Sequence, residues 1–502
     1  MAINFIVNDP LAGPSAPAMA PRSPAAERPA TRSGFNYSNT QAEGVAEPGT
    51  LQFLFWQARE AAILAVRAYE SSAGAHALWQ GNRRKIALRQ DRGVDLNAYY
   101  DRLSFSFFHQ TLGGKTYSSG ASTDVVAHEV GHGLLDALRP DLFTANYFEV
   151  AAVHEAFGDC IAILTALADA DTRDKLLALA PDLRKRNFVE STAEELSHAI
   201  GLLLPGHNAS APRRAFNTFK YQLPSTLPSH GGPGALINEI HSFGMVFSAC
   251  FWDLIANLFA AGAQKDSAAL LASARLAGRI LIAGSKYAPV APRFMQSVGR
   301  TMTLADQVMH GGANREHIRD AFARHAILLG TNAMLAPTAL LAGAAPTAGK
   351  LSAATRKDLA RRLGGAPGAR LALQPDPLPG VRGVGAVQSR VVTLTGLHPL
   401  LQGVIALAQE PVVVGSSGGR AALLGALPNP LDTQAEVQAF VASLLAHRRI
   451  QLPGEAARSH PQHATHAVKT VGGKKVLTRV RFACACHPAA PSPAGRGTAA
   501  KA

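Results

Sequence analysis

The chain has 502 residues, of which 47% are hydrophobic and 17% charged, and its formal net charge is +14. This length is too great for one compact core and predicts two or three domains. The charge alone would favour an acidic partner, but much of it lies in the C-terminal tail and no nucleic-acid-binding module accompanies it, so nucleic acid is not an expected partner. Four cysteines are too few for a disulfide-based scaffold.

The N-terminus has no basic start followed by a long apolar run, so no secretory signal is predicted. The apolar stretches at 249–263 and 399–415 are interrupted by polar residues and are too short to cross a bilayer. We therefore expect a protein without a membrane span that stays in the cytoplasm unless another route exports it. The sequence indicates no oligomeric state.

The first third of the chain changes character twice. Residues 1–50 are rich in Pro, Ala, Ser and Gly with little periodic apolar content, which predicts a flexible arm. Apolar residues at helical spacing from Leu51 to Ser71 predict a long amphipathic helix. Aromatic residues in rough alternation between Val94 and Phe108 predict strands.

Helical patterns dominate from Ser122 to about His325, broken by a loop at 205–234 that is rich in Pro, Gly and Ser. After Leu329 the composition turns to Ala, Gly, Pro and Leu and predicts a separate C-terminal part of mixed type. That part ends in a hairpin with Gly472-Gly473 at its turn, and the final residues, 489–502, are predicted to be disordered.

A metal-binding pattern lies on the helix predicted at 124–138, which Ser122 caps and Pro140 ends. His128 and His132 are four residues apart on it, so both imidazoles lie on one face and can bind one Zn²⁺. Glu129 lies beside them, where it can take a proton from metal-bound water. A catalytic zinc site needs three protein ligands and an open position, so a third ligand is required.

The best candidates for that ligand are Glu155 and Asp159, again four residues apart on a predicted helix. One carboxylate can bind the metal while the other accepts the free ring N–H of a histidine ligand. Taken alone, His-Glu-x-x-His occurs by chance as surface helix residues, and a Glu/Asp pair is more often a solvated helix face. The two helices together, 23 residues apart from His132 to Glu155, favour a site.

These two segments, Asp124 to Gly133 and His154 to Asp159, resemble the active-site helices of the thermolysin-like and fungalysin-like zinc metallopeptidases, the gluzincins. The resemblance implies one catalytic zinc ion with His128, His132 and Glu155 as ligands. It further implies that Glu129 is the general base and that Asp159 is the partner of a ligand histidine.

Other parts of the family pattern have counterparts here, and the resemblance covers roughly residues 50–330. Asn97-Ala98-Tyr99-Tyr100 is similar to the edge strand that holds the substrate, with Asn97 and Ala98 as substrate-binding residues. Arg213, with Arg214 as the alternative, resembles the arginine that binds the substrate carbonyl, and His241 resembles the histidine that donates to the oxyanion. The family's active-site tyrosine has Tyr147 as its nearest candidate, one position off.

The resemblance implies an α+β fold, in which a two-lobed thermolysin-like catalytic unit is followed by a smaller accessory domain. The expected boundaries are a flexible arm at 1–50, a strand-containing catalytic lobe at 51–138, a mainly helical catalytic lobe at 139–332, an accessory domain at 333–488 and a disordered tail at 489–502. The sequence departs from the family at His154, where Asn is common, and in the length of the loop between the ligand helices.

The expected function is therefore that of a zinc metalloendopeptidase, a hydrolase in which zinc-bound water attacks a peptide or protein substrate with Glu129 as base. One alternative is a zinc-binding relative that serves as a binding module or acts on another amide. Another is a basic interaction protein that binds polyanions. Cys484-Ala485-Cys486-His487 offers ligands for a second metal site, but no fourth ligand is evident and such tail cysteines are more often incidental. Calcium is left open, and no motif indicates it.

Overall fold

A computed structural model describes residues 2–288, 290–330, 353, 372–374, 383–417, 420–424, 430–452 and 463–484. Its helices are α1 (Leu51–Ala73), α2 (Thr123–Leu138), α3 (Pro140–Thr144), α4 (Phe148–Ala168), α5 (Ala170–Leu179), α6 (Glu194–Leu203), α7 (Ile240–Ala261), α8 (Ser267–Tyr287), α9 (Phe294–His310), α10 (Arg315–Arg324) and α11 (Pro430–Ala446). Its strands in the N-terminal half are β1 (Ile3–Phe5), β2 (Ala20–Arg22), β3 (Gly34–Tyr37), β4 (Lys85–Arg89), β5 (Ala98–Tyr100), β6 (Ser104–Phe107), β7 (His109–Leu112), β8 (Lys115–Ser118), β9 (Ser191–Thr192) and β10 (Arg213–Arg214). The later strands are β11 (Ala372–Gln374), β12 (Gly383–Thr393), β13 (Val404–Ser417), β14 (Arg420–Leu424), β15 (Ile450–Gln451), β16 (His466–Val471), β17 (Lys474–Arg479) and β18 (Phe482–Ala483). The α+β class is confirmed.

A five-stranded sheet lies beside the metal-binding helix, with strand order β18-β5-β6-β4-β3. Strands β3, β4 and β6 run parallel, while β5 pairs antiparallel with β6 on one side and with β18 on the other. The strands predicted between Val94 and Phe108 are therefore confirmed. The last strand of this sheet comes from the far end of the chain.

Residues 2–50 are not the flexible arm that their composition predicts. Strand β3 joins the five-stranded sheet next to β4, and β1 pairs with β2. Phe5 is 1% exposed, and the Asn8 side chain donates to the carbonyl of Phe188 over 2.8 Å. Side-chain hydrogen bonds of this kind hold irregular backbone in place without leaving a periodic apolar pattern in the sequence.

Helices α1, α2, α7 and α8 pack around α4, which is buried along nearly its whole length. A helix buried on every side needs apolar residues all round, and the sequence of α4 supplies them except at a few polar positions, of which His154, Glu155 and Asp159 face α2. The helix predicted from Leu51 is also confirmed, as α1. The packing of α2 against α4 brings the two predicted ligand segments together.

Three helices among the described residues are long and apolar enough to cross a membrane, namely α4, α7 and α8. The share of the most apolar window that is buried is 100% in α4, 89% in α7 and 44% in α8. The stretch at 249–263, predicted to be too short to span, lies largely within the 22-residue α7. Since α4 and α7 are covered by protein in this fold, their apolar faces are already buried. The absence of a membrane span stays a prediction.

The C-terminal part contains a sheet ordered β11-β12-β13-β17-β16-β15, with β14 also paired to β13, and the helix α11. The hairpin predicted at Gly472-Gly473 is confirmed: it joins β16 to β17, and both glycines have positive φ, at 54° and 76°. This part contacts the preceding one, for example where Arg293 pairs with Glu436 over 2.7 Å. Strand β18, which falls within the accessory domain predicted at 333–488, does not join this sheet but pairs with β5. Residues 489–502 lie outside the described residues.

Candidate active site

Helix α2 carries the first group of site residues. It begins after Ser122, whose hydroxyl accepts a hydrogen bond from the backbone N–H of Val125. His128, Glu129 and His132 are completely buried and offer ligand atoms within 4.8 Å of one another. The four-residue spacing therefore places both imidazoles on one face, as the sequence predicts.

Glu155 on α4 faces both imidazoles. Its Oε2 lies 3.2 Å from Nε2 of His128 and 3.4 Å from Nε2 of His132. Both of these nitrogens and both Glu155 oxygens are buried and have no hydrogen-bond partner of standard geometry among the described residues. Buried polar atoms without partners are costly unless something fills the space between them. Two imidazole nitrogens and a carboxylate are also the donor set that a catalytic zinc ion uses, so the residues fit the metal.

The opposite nitrogen of each imidazole has its own partner. Nδ1 of His128 lies 2.8 Å from Oδ1 of Asp159, the residue expected to be the partner of a ligand histidine. Nδ1 of His132 lies 2.8 Å from Nδ1 of His154, a contact that the sequence analysis did not foresee. Burial lowers the pKa of His154 well below its ordinary value, and the charges of His132 and Arg479 add to the effect. His154 is therefore neutral and accepts a hydrogen bond from Nδ1–H of His132. Both contacts leave the Nε2 atoms free to bind metal.

Two glycines let α2 and α4 approach this closely. A Cβ built on Gly131 would lie 2.8 Å from the Cα of Gly158, and one built on Gly158 would lie 2.6 Å from Nδ1 of His128. Neither position has room for a larger side chain. The space beside Gly131 is therefore occupied by α4.

His241 enters the site from the first turn of α7. Glu239 caps this helix: it accepts from the backbone N–H groups of His241 and Ser242, and its Oε1 lies 2.8 Å from Nδ1 of His241. The Nε2 of His241 lies 3.1 Å from Oε2 of Glu155. Burial favours the neutral ring, but Glu155 and Glu239 together raise the pKa of His241 well above its ordinary value. His241 is thus held as a proton donor that points at the site.

The carboxylate of Glu155 is ionised in this setting. Burial alone would raise its pKa, but His241 and His132 lower the pKa of Glu155 well below the usual range. Glu129 behaves in the opposite way, because burial, followed by the effect of Cys484, raises the pKa of Glu129 well above its ordinary value. Two neighbouring carboxyls with pKa values moved apart suit different chemical roles.

The structure distinguishes between the two candidate arginines. Arg213 lies on β10 and donates to Oδ1 of Asp159 over 2.8 Å, next to the His128 ring. Arg214 instead pairs with the buried Glu190 over 2.8 Å. Arg213 is therefore the arginine that faces the site.

The remaining predicted site residues are Asn97, Ala98 and Tyr147. Asn97 directly precedes the edge strand β5, and Ala98 begins it; both are buried. Tyr147 is the N-cap residue of α4, is completely buried and is absent from the lining of the adjacent cavity. Its role as an active-site tyrosine stays a prediction. Cys160 on α4 and Cys250 on α7 are buried helix residues, as expected.

Cys484 is the site residue whose position the sequence analysis missed. It is buried, and its Sγ lies 3.2 Å from Oε1 of Glu129 although the two residues are 355 positions apart. The sequence indicated only an incidental tail cysteine or part of a second metal site, whose other residues, 485–487, lie outside the described residues. Because the contact depends on the pairing of β18 with β5, no local pattern reveals it.

A cavity of about 280 Å³ lies next to the site. Arg213, His241 and Cys484 line it, together with apolar side chains such as Leu196 and Met245. The predicted metal ligands and Glu129 are not part of its lining. The cavity therefore meets the metal site at Cys484 and His241.

A second acidic cluster lies elsewhere in the described part of the chain. Asp9, Asp124 and Glu194 offer oxygen atoms within 4.8 Å of one another. Burial, followed by the charges of Asp124 and Glu194, raises the pKa of Asp9 well above its ordinary value. Three carboxyls this close do not all carry a negative charge unless a cation lies among them.

Part of the chain matches a known protein family. Residues 214–333, about a quarter of the chain, match the family model of the fungalysin metallopeptidases (M36). The chain is a zinc metallopeptidase. The matched stretch contains His241 and helices α7 to α10, whereas the two ligand helices precede it, so the match and the geometry of the site support the identification separately. No curated protein matches the sequence.

Proposed function

We propose that this metallopeptidase is an endopeptidase whose zinc ion is held by His128, His132 and Glu155, with Glu129 as general base. The observation that carries the proposal is the convergence of three buried ligand groups, with one Glu155 oxygen 3.2 and 3.4 Å from the two Nε2 atoms. A zinc ion held there would lower the pKa of a water bound to it towards about 7 and would polarise the substrate carbonyl.

Glu129 is positioned for the proton transfers. It follows His128 on α2 and is completely buried, and burial raises its pKa above the ordinary value of a glutamic acid, which favours its holding a proton. A base of this kind takes a proton from the attacking water and gives it to the leaving amine. These are the two proton transfers that peptide hydrolysis requires.

His241 and Arg213 are proposed to act on the substrate carbonyl. His241 is held protonated by Glu155 and Glu239 and can donate to an oxyanion, a contribution on the order of 2.7–4 kcal/mol for one donor. Arg213 lines the cavity while it remains anchored to Asp159. The positive charge of both residues faces the space where a carbonyl would develop negative charge.

The substitution Glu129→Gln tests the proposal, with Glu149→Gln as a matched control. Glu149 is a buried carboxyl on α4 that bonds to Tyr221 and to the backbone of Met295, outside the site. Glu129→Gln is expected to keep one zinc ion per chain and to lose peptide cleavage by on the order of 10²–10⁴-fold. Glu149→Gln should keep both.

Zinc content by elemental analysis and cleavage of a peptide library, with and without a chelator, provide the readouts. Cleavage that continues undiminished in Glu129→Gln contradicts the assignment of the base. If neither the native chain nor the two variants contain zinc, the proposed set of ligands is contradicted.

A further inference from the structure

We propose that residues 482–484 form a built-in inhibitory segment, in which β18 occupies the substrate edge of β5 and the Cys484 sulfur takes the open position of the zinc ion. The inference rests on the zinc site proposed above. Three observations carry it: the contacts of the sulfur, the pairing of the strand and the packing of Phe482.

The Cys484 sulfur lies among the groups that a substrate would have to reach. It is 3.2 Å from Oε1 of Glu129 and lies close enough to His128 and His241 to interact electrostatically with both. General base, ligand and oxyanion donor therefore converge on a single atom. Thiolate is a strong zinc ligand, and three protein ligands leave one position for it.

The same three groups have unpaired buried atoms that point into this space. Nε2 of His128, Nε2 of His241 and Oε2 of Glu129 have no hydrogen-bond partner of standard geometry among the described residues. A zinc ion held by His128, His132 and Glu155 would satisfy the His128 nitrogen, whereas the Glu129 and His241 atoms call for a group beside the metal. The cysteine therefore coincides with a set of groups that already calls for a ligand.

Strand β18 lies along β5, the strand that is predicted to hold the substrate. Phe482 pairs with Tyr100 and Ala483 with Tyr99 in antiparallel register, and the backbone N–H of Cys484 donates to the carbonyl of Ala98 over 2.9 Å. Strand addition to a sheet edge is a common way for a peptide to bind. With β6 on its other side, β5 has no second edge to offer a substrate.

Phe482 anchors the segment beside the metal ligands. It is completely buried, and its ring stacks on His154 at 3.9 Å and on His132 at 4.7 Å between ring centroids. The ring also meets Phe143 edge-on at 5.4 Å, and the Arg479 guanidinium lies over it at 4.1 Å. These contacts hold the Phe482 ring in place and so fix the position of Cys484, two residues later in the chain.

Cys484 also separates the cavity from the metal ligands. It lines the cavity on one side and contacts Glu129 on the other, whereas Glu129 and His128 do not line the cavity. Replacing the sulfur with a substrate carbonyl requires the segment to leave. The native chain is therefore expected to be latent.

The first test asks whether the sulfur binds the metal. The full-length chain, Cys484→Ala and the matched control Cys486→Ala are reduced and loaded with Co²⁺ in place of zinc. Native protein and Cys486→Ala should show thiolate-to-cobalt charge-transfer absorption in the near ultraviolet. Cys484→Ala should lose it while still binding one cobalt ion per chain. Equal absorption in Cys484→Ala, or none in the native protein with cobalt bound, overturns the proposal.

The second test asks whether the thiol is protected by metal. In the native, zinc-loaded chain Cys484 should react with a thiol reagent at least about tenfold more slowly than after zinc is removed, which corresponds to about 1.4 kcal/mol of protection. Mass spectrometry of the labelled peptides identifies the cysteine that reacts. A reaction rate that zinc does not change contradicts the proposal.

The third test measures release of activity. Cys484→Ala should cleave library-derived peptides with a kcat/KM at least about tenfold above that of the native chain, since a closed state favoured by about 1.4 kcal/mol hides nine tenths of the enzyme. Phe482→Ala, which keeps the thiol but removes its anchor, should show a smaller increase. Cys486→Ala should match the native chain.

The outcomes separate the two proposals. If the native chain is as active as Cys484→Ala, the inhibitory segment is refuted and the endopeptidase proposal stands. If Cys484→Ala binds zinc but cleaves no peptide, the endopeptidase proposal fails, whereas the cobalt and thiol tests still decide whether the sulfur is a ligand.

Discussion

The substitution Gly158→Ala tests whether the close approach of α2 and α4 fixes the metal site. The added Cβ would lie 2.6 Å from Nδ1 of His128 and 2.8 Å from its Cε1. Ordinary contact begins at 3.4 Å, so the ring or the helix must move by about 0.8 Å. Metal–ligand distances are held within about 0.2 Å, and the ring is already fixed by Asp159 over 2.8 Å.

Two effects of different size follow from this displacement. Overpacking costs about 1–3 kcal/mol of folding free energy, and the gain of about 1 kcal/mol from Ala in a helix offsets part of it. The apoprotein should therefore lose about 0–2 kcal/mol. Zinc affinity should fall by at least about 10–100-fold, because the orientation of a ligand imidazole is disturbed.

Gly278→Ala is the matched control, since it also lies inside a helix and its Cβ would lie 2.7 Å from Oγ of Ser72. It should lower stability without changing zinc affinity. Competition with a chromophoric chelator measures the affinity, and urea unfolding of the apoproteins measures the stability. Native zinc affinity in Gly158→Ala would refute the reasoning, as would an equal loss of affinity in both variants.

Three further predictions concern neighbouring groups. Burial raises the pKa of Glu149 to about 7 from 4.5, so the native fold binds more protons than the unfolded chain between these values and loses stability as pH rises through them. Glu149→Gln should remove this loss and gain about 3 kcal/mol relative to the native chain between about pH 4.5 and 8, measured by urea unfolding; a pH-independent difference would contradict it. His154→Ala should weaken zinc binding about 10–100-fold, whereas His154→Asn, which keeps an acceptor for His132, should weaken it less; the chelator competition measures both, and equal effects would contradict the role of His154. Removal of zinc should lower the free energy of unfolding by about 4 kcal/mol at a metal concentration 1,000 times Kd, seen as a fall in Tm by calorimetry, and an unchanged Tm would show that no metal binds the folded state.

The ligand helices could be predicted from the sequence because their signals are local. His128 and His132 on one helix, and Glu155 and Asp159 on the next, depend only on the four-residue period and on a cap at Ser122. The tertiary structure adds what the period cannot supply, namely that the carboxylate oxygen lies within 3.4 Å of both nitrogens.

The contacts that could not be predicted are those between distant segments. The pairing of Phe482 with Tyr100 joins residues that are far apart in the chain, and a two-residue strand has no sequence pattern of its own. The N-terminal segment failed for a related reason, because hydrogen bonds such as that from Asn8 to Phe188 hold it in place rather than a periodic apolar face. His154 was noted as a departure from the family, but its role as acceptor for His132 needs the 2.8 Å contact to be seen.

The pairing of β18 with β5 also bears on solubility. Without β18, the edge of the five-stranded sheet would be Ala98-Tyr99-Tyr100, a short aromatic strand whose backbone donors and acceptors would face solvent. Open edges of this kind pair with one another and promote aggregation. A chain that lost its C-terminal segment would therefore expose an aggregation-prone strand edge together with its metal site. A peptide bound along β5 would then be a substrate and would also protect the protein against self-association.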